Sequence, residues 1–304
     1  MNAFCKCVFG EIAMKIDFPP SSGEALASEP ANPEASSPDE TIWGKLRTEA
    51  AQERIRESVL APLHGSILDS GSFEHALART LVRRLSHPSV PAEDLKSLLL
   101  EPLSSDGSIG EAARADLSAV IQRDPASDRL LEPFLFFKGY AAIQTHRLTH
   151  WLWNAGKRDI ALYLQSRSSE IFQTDIHPGA KIGKGVFLDH ATGFVAGETV
   201  AIEDNVSILH GVTLGGTGTE KTDRHPKIRT GVLIGAGAQV IGNIEIGAYS
   251  RIAAGSFVTQ PVPPRCTAVG VPARIIKGAG TDNPAETMDE TLAQGTYESF
   301  TYVI

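Results

Sequence analysis

DIHPGAKIGKGVFLDHATGFVAGETVAIEDNVSILHGV, residues 175–212, places an apolar residue at every sixth position: Ile176, Ile182, Leu188, Phe194, Val200, Val206 and Val212. The beat lapses over TLGGTGTEKTDRHPK and resumes as Ile228, Ile234, Val240, Ile246, Ile252 and Val258. A period of six suits neither an α-helix nor an alternating strand. It suits a triangular coil in which each short strand sends an aliphatic side chain inward and then turns a corner. Three hexads close one turn of about eighteen residues, and stacked turns repeat at about 4.8 Å, the spacing of neighbouring strands. Glycine follows the apolar residue at 182–183, 234–235, 241–242 and 246–247, where tight corners favour a residue without Cβ. Val212 and Ile228 are sixteen residues apart, so the surplus leaves the coil as a loop over roughly 216–227, ending in Asp223, Arg224 and His225.

Outward from this core the texture changes. Residues 41–172 read as helices, with Thr41 as an N-cap of the first. In SFEHALARTLVRRLSH, Leu77, Leu81 and Leu85 recur every four residues with Val82 beside them, the stripe of a buried helix face. His146, His150, Trp151 and Trp153 lie on a later apolar helix, where packing is the expected role. Residues 1–40 hold five prolines between 19 and 40 and little apolar surface, and are expected to be disordered. Residues 278–304 carry five acids and no base and are expected to form a flexible tail, despite the apolar ending Tyr302, Val303 and Ile304.

The chain has 304 residues, a formal net charge of −8 and no apolar run long enough to span a bilayer. That charge argues against broad binding to nucleic acid or anionic membrane. Cys5, Cys7 and Cys266 provide no disulfide framework, and Cys5-x-Cys7 has no further Cys or His nearby to complete a metal site. Glu11 interrupts the N-terminal apolar stretch, and the following acids disfavour a transit peptide, so a cytoplasmic location is expected.

Taken together, TDIHPGAKIG, LDHATG, VTLGGTGTEKTDRHPKI and GVPARII, behind a helical domain, closely resemble the serine O-acetyltransferase family over residues 42–277. The resemblance implies an α+β chain: a disordered segment 1–40, an α-helical domain 41–173, a left-handed parallel β-helix 174–277 and the tail. It implies homotrimers or dimers of trimers, acetyl transfer from acetyl-CoA to L-serine in cysteine biosynthesis, and no metal. A serine hydroxyl needs a base to attack a thioester, and imidazole titrates near working pH. By the family motif His190 is that base and Asp175 its orienting acid. Asp124 and Asp189 match the acids that hold serine, and Arg224 and His225 its carboxylate side. Gly216, Ala236 and Ala254 match backbone contacts to acetyl-CoA, with Arg274 and Lys277, beside Arg265, near its phosphates. The family is commonly inhibited by L-cysteine and docks a terminal Ile into O-acetylserine sulfhydrylase, the role this places on Tyr302, Val303 and Ile304.

Three other readings compete. One is an acyltransferase with a different acceptor, against which the helical domain and DRHPKI argue. Another is a γ-type carbonic anhydrase binding zinc through histidines drawn from His177, His190, His210 and His225. The last is a non-catalytic assembly module working through its tail.

Overall fold

The structure, a computed structural model, describes residues 38–218, 221–278 and 281–291. Eight helices lead: α1 (Pro38–Arg56), α2 (Ala61–Leu68), α3 (Phe73–Leu85), α4 (Ala92–Ser105), α5 (Gly107–Arg123), α6 (Leu131–Leu135), α7 (Lys138–Asn154) and α8 (Arg158–Phe172). Helix α1 starts at Pro38, so Thr41 lies within it rather than capping it; proline's fixed φ suits a first helical turn. Ser72 caps α3 by accepting from the His75 N–H, and the Leu77, Leu81, Leu85 and Val82 stripe is buried as its spacing predicts.

A parallel β-solenoid of about five turns follows, with three faces. The first stacks 174–176, 194–196, 213–215, 239–241 and 257–258; the second stacks 181–182, 201–202, 227–228 and 245–246. The third stacks 187–188, 207–208, 233–234, 251–252 and 266–269, and ends with 274–277 running antiparallel against 266–269. The leading corners connect the third face to the first and the trailing corners connect the first to the second.

The pairing corrects the simple six-residue count. Ile176 pairs with Ala196, twenty residues on, whereas Ala196 pairs with Leu214 and Val240 with Val258, eighteen on. Two extra residues therefore lie at the leading corner 189–193. The column begun by Ile176, Ile182 and Leu188 continues through Ala196, Ile202, Ile208 and Leu214. Phe194, Val200, Val206 and Val212 fill a second inward column, also buried. Both columns are apolar, so the slip left no polar residue facing inward to betray it. The larger excursion stands where the sequence placed it, between strands ending at Gly215 and starting at Lys227.

A polar seam joins the helices to the solenoid. Buried Asp116 on α5 accepts from Gln144 and Arg147 on α7 and from the Val186 N–H of the solenoid. Arg147 donates onward to the carbonyls of Ile182 and Gly183, and Arg123 to the carbonyl of Gly185 and the hydroxyl of Ser207. His146 and His150 meet the carbonyls of Ala180 and Pro178, so their packing role includes gripping a trailing corner. Burial holds the His146 pKa down to about 3, and the ring stays neutral.

Within the expected tail, the segment 281–291 packs against the solenoid. Its short helix α9 (Pro284–Thr287) buries Pro284 and Ala285, and the Ala285 carbonyl accepts from Ser207 Oγ. Arg251 donates to the carbonyls of Asp289 and Thr291. Small apolar residues and backbone carbonyls thus anchor an acidic segment whose composition alone reads as mobile. Residues 1–37, with Cys5 and Cys7, and Tyr302, Val303 and Ile304 lie outside the described residues. Among the described residues no helix is long and apolar enough to cross a membrane.

Candidate active site

Most of the expected site residues fall at two corners of the solenoid. The leading corner carries Asp189 and His190 on the first turn, with His190 Nε2 3.6 Å from Asp189 Oδ2. His210 occupies the same corner one turn on, its ring edge-on to His190 at 5.9 Å between centroids. Asp124, just beyond the end of α5, lines with Asp189 a cavity of about 330 Å³ that also touches Met288 and Glu290. Burial, together with the Asp124 carboxylate, raises the Asp189 pKa above the ordinary carboxylate value although His190 and His210 oppose the shift. Two carboxylates facing one small cavity form a receptor for a cation.

His190 and Ala191 sit in the bulge with φ of 55° and 61°, consecutive non-glycine residues in the left-handed region. Such residues cost about 1–2 kcal/mol each and persist only where their surroundings hold them. Here Gly193 N–H donates to the Gln173 carbonyl and Gly211 N–H to the Thr192 carbonyl. The ladder continues down the same edge from Gly237 N–H to the His210 carbonyl and from Gly255 N–H to the Ala236 carbonyl. His190, His210, Ala236 and Ala254 therefore line one edge of the prism on successive turns. At about 4.8 Å per turn, Ala254 stands roughly 14 Å from His190 along the axis. Glu290 reaches the same edge, where its Oε1 would be 2.9 Å from a Cβ on Gly235.

The trailing corner gathers the other group. Arg224 pairs with Glu198 at 2.9 Å, and the arm folds back so that Thr199 Oγ accepts from the Arg224 and His225 amides. His225 Nδ1 accepts from the Thr199 N–H at 3.3 Å, which places its proton on Nε2. Burial, with the cations Arg224 and Lys227, lowers the His225 pKa and keeps the ring neutral. Two glycines make this packing possible. A Cβ on Gly197 would be 2.7 Å from His225 Cε1 and nearer still to Nε2, and one on Gly216 would be 3.0 Å from Arg224 Cγ. Gly216 thus supports the Arg224 arm at the trailing corner, away from the edge that holds Ala236 and Ala254.

Asp175 lies on the first face and pairs with Val195, and its Oδ1 accepts from Gln165 of α8 at 2.6 Å. Among the described residues no hydrogen bond or ion pair joins it to His190 within this chain. Arg274 and Lys277 are exposed on the terminal antiparallel strand, while Arg265 pairs with Asp282 and covers the Tyr249 ring. The sequence motifs give no role in acetyl transfer to His210 or Glu198. Their signals were positional: His210 follows His190 by twenty residues, the length of this one turn, and Glu198 adjoins the glycine on which His225 rests. Among the described residues no three His, Cys, Asp or Glu side chains gather in metal-binding geometry.

This architecture is that of the hexapeptide-repeat transferases. A family model described as bacterial transferase hexapeptide (six repeats) matches residues 225–260, and one described as serine acetyltransferase, N-terminal, matches residues 42–145. Serine acetyltransferase of Salmonella typhimurium is 47% identical over 264 residues, covering 86% of this chain and 96% of that protein. The crystal structure of serine acetyltransferase from Brucella abortus in complex with coenzyme A is 53% identical, with a TM-score of 0.77 over 79% of this chain and 96% of that one. A soybean serine acetyltransferase complexed with serine is 47% identical, with a TM-score of 0.78 over 80% of this chain and 100% of that one. The chain belongs to the serine acetyltransferase family.

Proposed function

We propose that this chain transfers the acetyl group of acetyl-CoA to the hydroxyl of L-serine, giving O-acetylserine and CoA, with His190 as general base. The supporting observation is the leading edge itself: Asp189, His190 and His210 on the first turns with Asp124 at the end of α5 beside them, then the small residues Ala236 and Ala254 on the turns below. The serine ammonium sits between Asp124 and Asp189. His190 takes the hydroxyl proton as the oxygen attacks the thioester carbonyl, and a backbone N–H of the edge meets the developing oxyanion. Collapse of the tetrahedral intermediate breaks the C–S bond, and the imidazolium returns its proton to the CoA sulfur. No covalent acyl-enzyme is needed. The family's coenzyme A and serine complexes support both substrates, and cysteine, which differs from serine by sulfur for oxygen, fits the same anchors as an inhibitor.

Arg224 and His225 complete the site from a neighbouring copy. Within one chain a whole face separates them from His190, and a three-residue strand with its turns spans about 10 Å or more, beyond the reach of a three-carbon amino acid. In a homotrimer the trailing corner of one protomer meets the leading corner of the next. There Arg224 offers its planar fork to the serine carboxylate. Asp175 orients the His190 imidazolium through Oδ2, the oxygen that Gln165 leaves open. The acids of the N-terminal segment support a cytoplasmic location, and the terminal YVI supports docking to O-acetylserine sulfhydrylase.

The test is CoA release with and without L-serine for the native chain and His190→Ala. Serine-dependent release should fall by about 10²–10⁴ in the variant, whose exposed side chain is dispensable for folding. Folded native protein with no serine-dependent release would overturn the reading.

A further inference from the structure

The left-handed bulge bearing His190 is braced from outside by the first turn of α7. A Cβ on Gly139 would be 3.0 Å from the Leu188 carbonyl carbon and nearer still to its oxygen, so the helix abuts the residue just before Asp189. One residue earlier, Lys138 donates from Nζ to Thr192 Oγ, and lies 3.4 Å from Gln173 Oε1. Thr192 Oγ in turn points its hydroxyl at the His190 carbonyl at 3.4 Å, and the Thr192 N–H donates to the same carbonyl at 2.7 Å. Gln173 is itself left-handed, at φ 60°, and its carbonyl accepts from Gly193 at the far end of the bulge. One ammonium therefore ties together the start of α7, the end of α8 and both sides of the strained corner.

We propose that Lys138 is a positioning residue for His190, acting through Thr192. The reading rests on His190 being the base. A hydroxyl can accept from the ammonium and donate to the His190 carbonyl at once. That chain fixes the peptide plane following His190, and with it the direction of the imidazole toward the serine hydroxyl. Lys138 itself touches no substrate. Its loss should therefore misalign the base without weakening either substrate's anchors, a change seen in kcat rather than KM.

The experiment compares Lys138→Met, Lys138→Arg, Thr192→Val and the Lys138→Met/Thr192→Val double variant in the full chain, with both substrates varied. Lys138→Met should lower kcat about 10-fold, with KM for serine and acetyl-CoA each within twofold of native and the pH profile of kcat/KM unchanged in shape. Lys138→Arg, which keeps the donors, should recover most of the rate. Thr192→Val should match Lys138→Met, and the double variant should be no worse than either single one, because both break the same chain.

A kcat within twofold of native in Lys138→Met overturns the proposal. So does a rise in acetyl-CoA KM at unchanged kcat, which would make Lys138 a cofactor contact, or a shifted pH profile, which would make its charge the active property. Multiplying losses in the double variant also overturn it. His190→Ala separates the two levels: if that variant keeps native activity the base assignment fails, whereas an inactive His190→Ala beside an unaffected Lys138→Met sinks only the brace.

Discussion

Gly197→Ala should disable serine recognition without replacing a residue that binds serine. The added methyl would be 2.7 Å from His225 Cε1 and nearer to Nε2 and Cδ2. Ordinary carbon contacts lie at about 3.5–4.0 Å, so the ring must retreat by about 1 Å or more. The solenoid is buried and hydrogen-bonded on every turn, so the arm yields instead. His225 then loses its bonds from Thr199, at 3.3 Å from the N–H and 2.8 Å to the hydroxyl, each worth about 1 kcal/mol. Arg224 travels with it because Thr199 Oγ also holds its amide. A displacement of about 1 Å in a positioning group costs up to about 10²-fold in rate. Bisubstrate kinetics should show kcat/KM for serine reduced about 10- to 100-fold and KM for acetyl-CoA within about twofold. Gly71→Ala, where a Cβ meets nothing within 4 Å, should leave every constant unchanged. Native serine kinetics in folded Gly197→Ala would show that His225 and Arg224 do not hold the amino acid.

If each site joins the leading corner of one copy to the trailing corner of another, co-expressed His190→Ala and Arg224→Ala chains should regain part of the native rate, while each alone stays inactive; no recovery in verified mixed oligomers would place both residues in one chain's site. Asp189→Asn should raise the serine KM about 10-fold while raising the melting temperature near neutral pH. The folded Asp189 pKa lies above its unfolded value, so its stabilising contribution is present in acid and is lost as pH rises through the folded value. The melting difference should therefore shrink in acid, and a lower neutral melting temperature would refute the sign. Deleting Tyr302, Val303 and Ile304 should abolish co-purification with O-acetylserine sulfhydrylase and leave acetyl transfer intact; persistent association would remove the tail's assigned role.

The solenoid was legible because its core repeats: each turn exposes the same apolar requirement, and the sixteen residues between Val212 and Ile228 could not be absorbed without a loop. The two-residue bulge at His190 was not, because slipping between two inward columns exchanges one apolar residue for another. The helical stripe of α3 was plain from Leu77, Leu81 and Leu85, whereas the docking of 281–291 depends on Ser207 and Arg251, which no local pattern links to Ala285 or Asp289. The motif residues Asp189, His190, Arg224 and His225 were visible as types of side chain. Their division between two corners was hidden, since it follows from how many residues each turn contains. The close packing of Gly197 on His225 was equally hidden, because a glycine in a repeat rich in glycine carries no mark of what lies against it.

The antiparallel strand 274–277 has a consequence for solubility. A stack of parallel turns ends in a row of unpaired backbone groups that invites another turn from any chain able to supply one. Here the third face, the only one among the described residues with a sixth strand, terminates in a reversed strand whose first and last residues are Arg274 and Lys277. A parallel coil cannot continue its register across that reversal, and two cations at its ends repel an identical edge. At the opposite end α8 runs directly into the first turn. A fold whose repeating unit could in principle be added without limit is thereby given a finite length.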